Sequence, residues 1–178
     1  QFLKDNIISN TNVPVLFFVN SYTNLMEFNK LDLGLKITGK NTIQEVFPDN
    51  NKEFSLFTIS PELNKSLVNA PPLFAPFGSY NISSFSEILL SQKIGKISTE
   101  KPLLFFVNAN NRKIGVFTAE GFWKWKLMEF AEIKNNDSFD ELFSKITQYL
   151  LLYDDKSKFR LKYEHKLNAN TPVVFEAE

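Results

Sequence analysis

The sequence predicts an α/β domain over residues 1–155 that leads into the first strands of a β-sandwich over residues 156–178. Strand-like and helix-like patterns alternate up to about residue 153, and only strand-like ones follow. The run Val13-Pro14-Val15-Leu16-Phe17-Phe18-Val19 is almost continuously apolar, as in a strand buried on both faces of a parallel sheet covered by helices. Hydrophobic residues make up 43% of the 178, with 19 Phe among them, which suits a sizeable core without metal or disulfide staples.

Each element has a local reason. The first strand ends at Asn20, and Thr23 is placed to cap a short helix over Asn24 to Leu31, with Leu25, Phe28 and Leu31 on one face. Gly34 punctuates the chain before a short strand at Leu35 to Ile37, and Thr42 to Phe47 reads as a turn of helix before Pro48. Alternation over Phe54 to Ile59 predicts a strand. Ser60-Pro61-Glu62 is a helix start with Ser60 as N-cap, and that helix ends near Asn69 because Ala70-Pro71-Pro72 cannot continue it. Pro76 and Gly78 extend the irregular stretch into a loop reaching about Ser84.

Strands follow at Glu87 to Ile94, Pro102 to Val107 and Lys113 to Ala119, the last two joined as a hairpin through Asn108-Ala109-Asn110-Asn111. Ala119-Glu120-Gly121 is the strand-to-helix turn leading into Phe122 to Phe130. Ser138 followed three residues later by Glu141 reads as a capping box, opening a helix over residues 139–153 with Phe139, Leu142, Phe143, Ile146, Tyr149 and Leu150 at helical spacing. Asp154 to Lys158 forms a polar linker. Beyond it Phe159, Leu161 and Tyr163 alternate as a strand, and Pro172 to Glu178 reads as another. Gln1 in place of Met, and a last strand whose pairing partners would lie further on, read as a piece of a longer protein.

Composition removes several function classes. Twenty basic and twenty acidic residues leave a formal net charge of zero, so no global field draws nucleic acid or an anionic membrane. Without cysteine there is no disulfide, thiolate metal site or thiol nucleophile, and a single histidine rules out a His-rich metal site. His165 and Glu164 are adjacent strand residues pointing to opposite faces, which reads as a surface histidine. Asp137 and Asp140 suit the start of a helix, where its dipole favours negative charge, and Asp154-Asp155 belong to the linker. No Gly-x-Ser-x-Gly elbow, phosphate-cradling glycine loop or His-Glu-x-x-His pattern occurs.

Two segments remain as candidate sites. Glu120, Trp123, Lys124 and Trp125 either pack between sheet and helix or line a crevice at the carboxyl end of a strand, where open α/β sheets bind ligands. Pro71, Pro72, Phe74 and Phe77 either pack a rigid loop or offer an apolar partner surface, including one for a symmetric homodimer.

These same segments carry a resemblance. Pro71-Pro72-Leu73, Glu87-Ile88-Leu89-Leu90, Pro102-Leu103-Leu104, Arg112 to Thr118 and Trp123 together resemble the C-terminal half of non-catalytic class I glutamine amidotransferase-like domains. The chain looks closest to large membrane-anchored proteins of Bacteroidetes-type bacteria, in which a Gly-Glu-Gly-(Ile/Leu)-Trp-(Arg/Lys)-Trp-(Arg/Lys) motif follows such a hairpin. Ala119-Glu120-Gly121-Phe122-Trp123-Lys124-Trp125-Lys126 matches it, with Ala119 and Phe122 as departures.

The resemblance covers roughly residues 13–178 and implies a partial flavodoxin-like sheet, a β-sandwich module beginning near residue 156, and a place in the cell envelope on the periplasmic side. An active member needs a Cys nucleophile activated by a His–Glu pair; this chain has no Cys, and no His lies near Glu120 to Lys126. The expectation is therefore a non-enzymatic structural or protein-interaction domain of a larger envelope-associated protein, with no cofactor and no metal. A protein partner or a homo-oligomer is left open to it, without nucleic acid or direct membrane contact. The alternative is a ligand-binding or enzymatic domain with a Trp-lined crevice around Glu120.

Overall fold

A computed structural model describes residues 13–39, 42–109 and 112–152, and the backbone of 161–162 and 176–177. The strands are β1 (Val15–Phe18), β2 (Leu35–Thr38), β3 (Ile43–Asn50), β4 (Leu73–Pro76), β5 (Ser79–Ile82), β6 (Glu87–Ile94), β7 (Ile97–Ala109), β8 (Arg112–Phe117), β9 (Leu161–Lys162) and β10 (Glu176–Ala177). The helices are α1 (Leu25–Lys30), α2 (Pro61–Val68), α3 (Trp123–Ile133) and α4 (Asp137–Leu151). The fold is mixed α/β, with a six-stranded sheet in the order β1-β8-β7-β6-β3-β4 and a separate two-stranded ribbon, β2·β5. Only β1·β8 is parallel within the six-stranded sheet; its other pairs run antiparallel.

Alternation along β7 builds two cores. Leu104 and Phe106 face a layer made by Leu63 and Leu67 of α2, Trp125 of α3, and Leu142, Ile146 and Leu150 of α4. Phe105 and Val107 face the other way, onto Phe28 of α1, Leu33, and Leu35 and Ile37 of β2. The period-two geometry of a strand thus serves both faces at once, which is why β7 and β8 are so apolar.

Several elements differ from the sequence reading. Residues 42–47 lie in β3 rather than a helix: Ile43 to Val46 pair with β4, and Phe47 to Asn50 pair with β6, so strand ladders override the local signal from Pro48. Phe54 to Ile59 is not a strand. Its alternation reflects loop packing, with the Phe54 and Phe57 rings 6.0 and 5.8 Å from that of Phe106. Residues 70–84 are not a continuous loop, because β4 and β5 lie within them. Each strand is only four residues long, and Pro76 is tolerated at the end of a short strand at the sheet's edge. Asn24, not Thr23, caps α1, accepting from Met26 N and Glu27 N.

The apolar run at Val13 to Val19 does form a parallel strand, but among the described residues β1 is the sheet's outer strand rather than an interior one. Glu141 takes no part in a capping box: the N-terminus of α4 is capped from another helix, as described below. At the other end of α4, Lys113 Nζ donates to Leu152 O at 2.9 Å and lies 4.6 Å from the Tyr149 ring centre.

β9 and β10 pair antiparallel, with Glu176 opposite Lys162. His165, Asp154, Asp155 and most of the expected β-sandwich strands lie outside the described residues.

Candidate functional site

The two candidate segments of the sequence meet in space and clamp each other. β8 runs out into Ala119 and Glu120, and the backbone of Glu120 forms a two-way bridge with Phe74 of β4, with N–H to O distances of 2.9 and 3.0 Å. The exit of β8 thereby covers part of an edge strand lying on the opposite side of the sheet order. Gly121 makes the turn that follows at φ 97°, a conformation that favours glycine. The chain then enters α3, where Trp125 Nε1 donates to Pro71 O at 2.9 Å and Lys124 Nζ donates to Pro72 O. Lys124 Nζ also stands 4.6 Å from the Phe74 ring centre.

The clamp has a simple physical cause. Pro71 and Pro72 contribute carbonyls but no N–H groups, so two strong acceptors need donors. An indole N–H and an ammonium one residue apart supply them. Trp125 is 5% exposed and packs in the helix-side core, whereas Trp123, two residues earlier, is 58% exposed on the opposite side of α3. The two tryptophans therefore do not line one crevice. Beside Trp125 lies a cavity of about 10 Å³ bordered by Leu63, Leu67, Glu129, Phe139 and Leu142. It has room for about one water molecule, against the roughly 300 Å³ or more of a small-molecule pocket.

The second candidate surface is divided in the same way. Pro71 and Pro72 are half-buried against α3 and Phe74 lies under Lys124, while Phe77 remains exposed beyond β4. Lys101 Nζ lies 5.8 Å from the Phe77 ring centre and 5.5 Å from that of Tyr80.

Two acids that sequence reasoning did not single out as linking groups hold the helix layer together. Glu129 of α3 is buried, and its two carboxyl oxygens accept from Ser138 N at 2.9 Å and Phe139 N at 3.0 Å. It caps α4 from the preceding helix. Glu141 is thereby released to accept from Ser60 N at 2.9 Å and from Ser60 Oγ. Ser60 in turn accepts from Leu63 N at 3.0 Å as the N-cap of α2, so one carboxylate ties the start of α2 to α4. Burial disfavours charge on Glu141, but the Ser60 hydroxyl and amide and the Lys145 ammonium outweigh it and hold the carboxyl below its usual range. Neither pairing has a spacing signal, since Glu129 reaches into the next helix and Glu141 reaches a residue 81 positions away. Asp140 meets Lys126 Nζ at 3.0 Å on the surface, and Asp137 lies in the first turn of α4, as its dipole favours.

The outer face of α3 carries Trp123, Leu127 and Phe130, more than half exposed, with Ile133 at its end. Their spacing of four and three residues makes one apolar stripe opposite the buried Trp125 and Glu129.

Fold and site together define a mixed α/β domain in which the Glu120 backbone, Lys124 and Trp125 hold backbone groups of residues 71–74 while Trp123 faces outward. No family model matches the chain, and no curated protein matches it. Among solved structures it is similar to one described as the mmIFT52 N-terminal domain, at 15% identity over 79% of this chain and 66% of that one. The TM-score of 0.39 is too low for that likeness to carry an argument about function.

Proposed function

We propose that this chain is a non-enzymatic structural or protein-interaction domain of a larger envelope-associated bacterial protein, on the periplasmic side of its membrane. It keeps an amidotransferase-like scaffold without the nucleophilic chemistry. The observation that carries this reading is the clamp: the bridging backbone of Glu120, the ammonium of Lys124 and the indole N–H of Trp125 are all engaged by residues 71–74. The absence of any cysteine supports it from the side of composition. The apolar stripe on α3 and the edge of β1 that no described residue pairs are the surfaces through which such a domain would engage a protein.

The test is an ammonia-release assay on the purified chain with glutamine and simple primary amides. No release above the buffer rate is expected, in the parent chain or in Glu120→Ala. Hydrolysis by the parent chain that disappears in Glu120→Ala would overturn the proposal in favour of an enzymatic site around that residue.

A further inference from the structure

β1 has the sequence of an interior strand and, among the described residues, the position of an edge strand. No charged residue occurs from Val13 to Val19 and Pro14 lies before the strand, so Val15 to Phe18 carry none of the charge, proline or bulge by which exposed edges are commonly defended. The orientation of its unpaired groups can be worked out. Val19 N–H donates to Phe117 O of β8 at 2.8 Å, and in a strand the N–H and C=O of one residue point to the same side, alternating along the chain. Val15, Phe17 and Val19 therefore address β8, and Leu16 and Phe18 present their N–H and C=O groups to the open side. The open ladder stops at both ends. Pro14 has no N–H, and Asn20 N is taken by Thr23 Oγ1 at 2.9 Å. Among the described residues nothing pairs with the outer side of β1.

Those four groups are self-complementary. From this we infer that the open edge of β1 pairs with β1 of a second copy of this chain, antiparallel, across a two-fold axis passing at Phe17. In that register Leu16 lies opposite Phe18 of the second copy, and Phe18 opposite Leu16 of the second copy. Each is a hydrogen-bonded pair, so all four donors and acceptors are used in four bonds. Phe17 meets Phe17 of the second copy in the intervening non-hydrogen-bonded pair.

The faces match as well. Leu16 and Phe18 share the helix-side face, where Phe18 stacks on Phe122 at 5.1 Å, while Phe17 packs on the ribbon side. A two-fold axis normal to the sheet therefore joins like face to like face. Phe18, 41% exposed in the single chain, becomes covered by Leu16 of the second copy. The apolar stripe of α3 begins one residue after Phe122, on the same layer, and flanks the seam. A formal net charge of zero removes the global repulsion that would otherwise keep two copies apart. This inference rests on the reading of the chain as an interaction domain and names its partner.

The experiment is sedimentation velocity on the full 178-residue chain from about 1 to about 200 μM, the range in which a micromolar dimer declares itself. A concentration-dependent dimer is expected. Phe18→Lys, which places a charge beside the axis, should be monomeric throughout with its far-UV circular dichroism unchanged. Because the chain lacks cysteine, Phe17→Cys supplies an independent reading. Cα atoms ~4.5 Å apart in a non-hydrogen-bonded pair are within disulfide reach, so this variant should cross-link under copper–phenanthroline oxidation faster than Met26→Cys on exposed α1.

A parent chain that stays monomeric, a dimer that survives in Phe18→Lys, or Phe17→Cys cross-linking no faster than Met26→Cys would each overturn the inference. Slow exchange of the Leu16 and Phe18 amides in a monomer would overturn it too, by showing that the chain covers its own edge. The interaction-domain reading fails separately, by amide hydrolysis dependent on Glu120, whatever the oligomeric state.

Discussion

At Glu141 a single carboxylate links the start of α2, Ser60, to α4, and that link titrates. Its folded pKa lies below the usual value, so its contribution to stability is fully present above the ordinary carboxylate pKa of about 4.3 and is lost as pH falls through the lowered folded value. The urea midpoint of the parent chain should therefore drop more steeply between pH ~5 and ~3 than that of Glu141→Gln. Equal slopes would show that Glu141 does not hold the two helices. Tyr80 makes the opposite case at high pH. Burial of its phenol, only partly offset by the polar side chain of Gln92, pushes its pKa up to about 12, and its hydroxyl donates to Pro76 O at 2.7 Å. The neutral phenol stabilises the fold fully below about pH 10, and that stabilisation is lost as pH rises toward the folded value. Between those limits the parent chain should lose stability faster than Tyr80→Phe, as followed by thermal unfolding. Such residue-level links escape sequence reading because their partners are remote: Trp125 and Pro71 are 54 positions apart, and periodicity reports only on neighbours.

At the scale of elements, local signals succeeded where the backbone's own chemistry sets the boundary. Ser60-Pro61 opens α2 as the capping rule requires, and the hairpin expected between Val107 and Lys113 is present, with Ala109 opposite Arg112. They failed where pairing decides. β3, β4 and β5 exist because ladders with β6 and β2 stabilise segments that read as a helical turn or a proline-rich loop. The junction of β2 with β5 shows how tight that pairing is: a Cβ added at Gly78 would lie 2.4 Å from Thr38 O and 3.0 Å from Gly39 Cα. Gly78→Ala should therefore lower the thermal midpoint, at a cost of about 1–3 kcal/mol, as overpacking against backbone does. An unchanged midpoint would mean that the ribbon moves freely relative to the sheet. The capping box read at Ser138 and Glu141 illustrates the same limit, since a buried acid on the neighbouring helix, Glu129, takes the Ser138 amide that Glu141 would have accepted from, and the Phe139 amide beside it.

For the molecule as a whole, the α/β class was legible because strand-like and helix-like patterns alternate along the chain, and the packing agrees, with β7 and β8 feeding cores on both faces of the sheet. The mixed character of the sheet was legible only in part: the continuous apolar run of β1 pointed to a parallel neighbour and the Asn-rich link to the β7–β8 hairpin, whereas nothing local marked the antiparallel ladders of β3 with β4 and β6. Nor was the division of labour legible at residues 120–126, where Trp123 and Trp125, two positions apart on α3, face the solvent and the core. The central claim is that this motif fastens the exit of β8 and the start of α3 to β4 rather than serving a ligand. Equilibrium unfolding of Trp125→Ala and Glu120→Ala tests it most directly. Loss of ~3–5 kcal/mol in Trp125→Ala is expected, as for other large core aromatics, whereas Glu120→Ala, which keeps the bridging backbone, should stay within about 0.5 kcal/mol of the parent chain. The reverse order, with Trp125→Ala near the parent and Glu120→Ala strongly altered, would contradict the clamp.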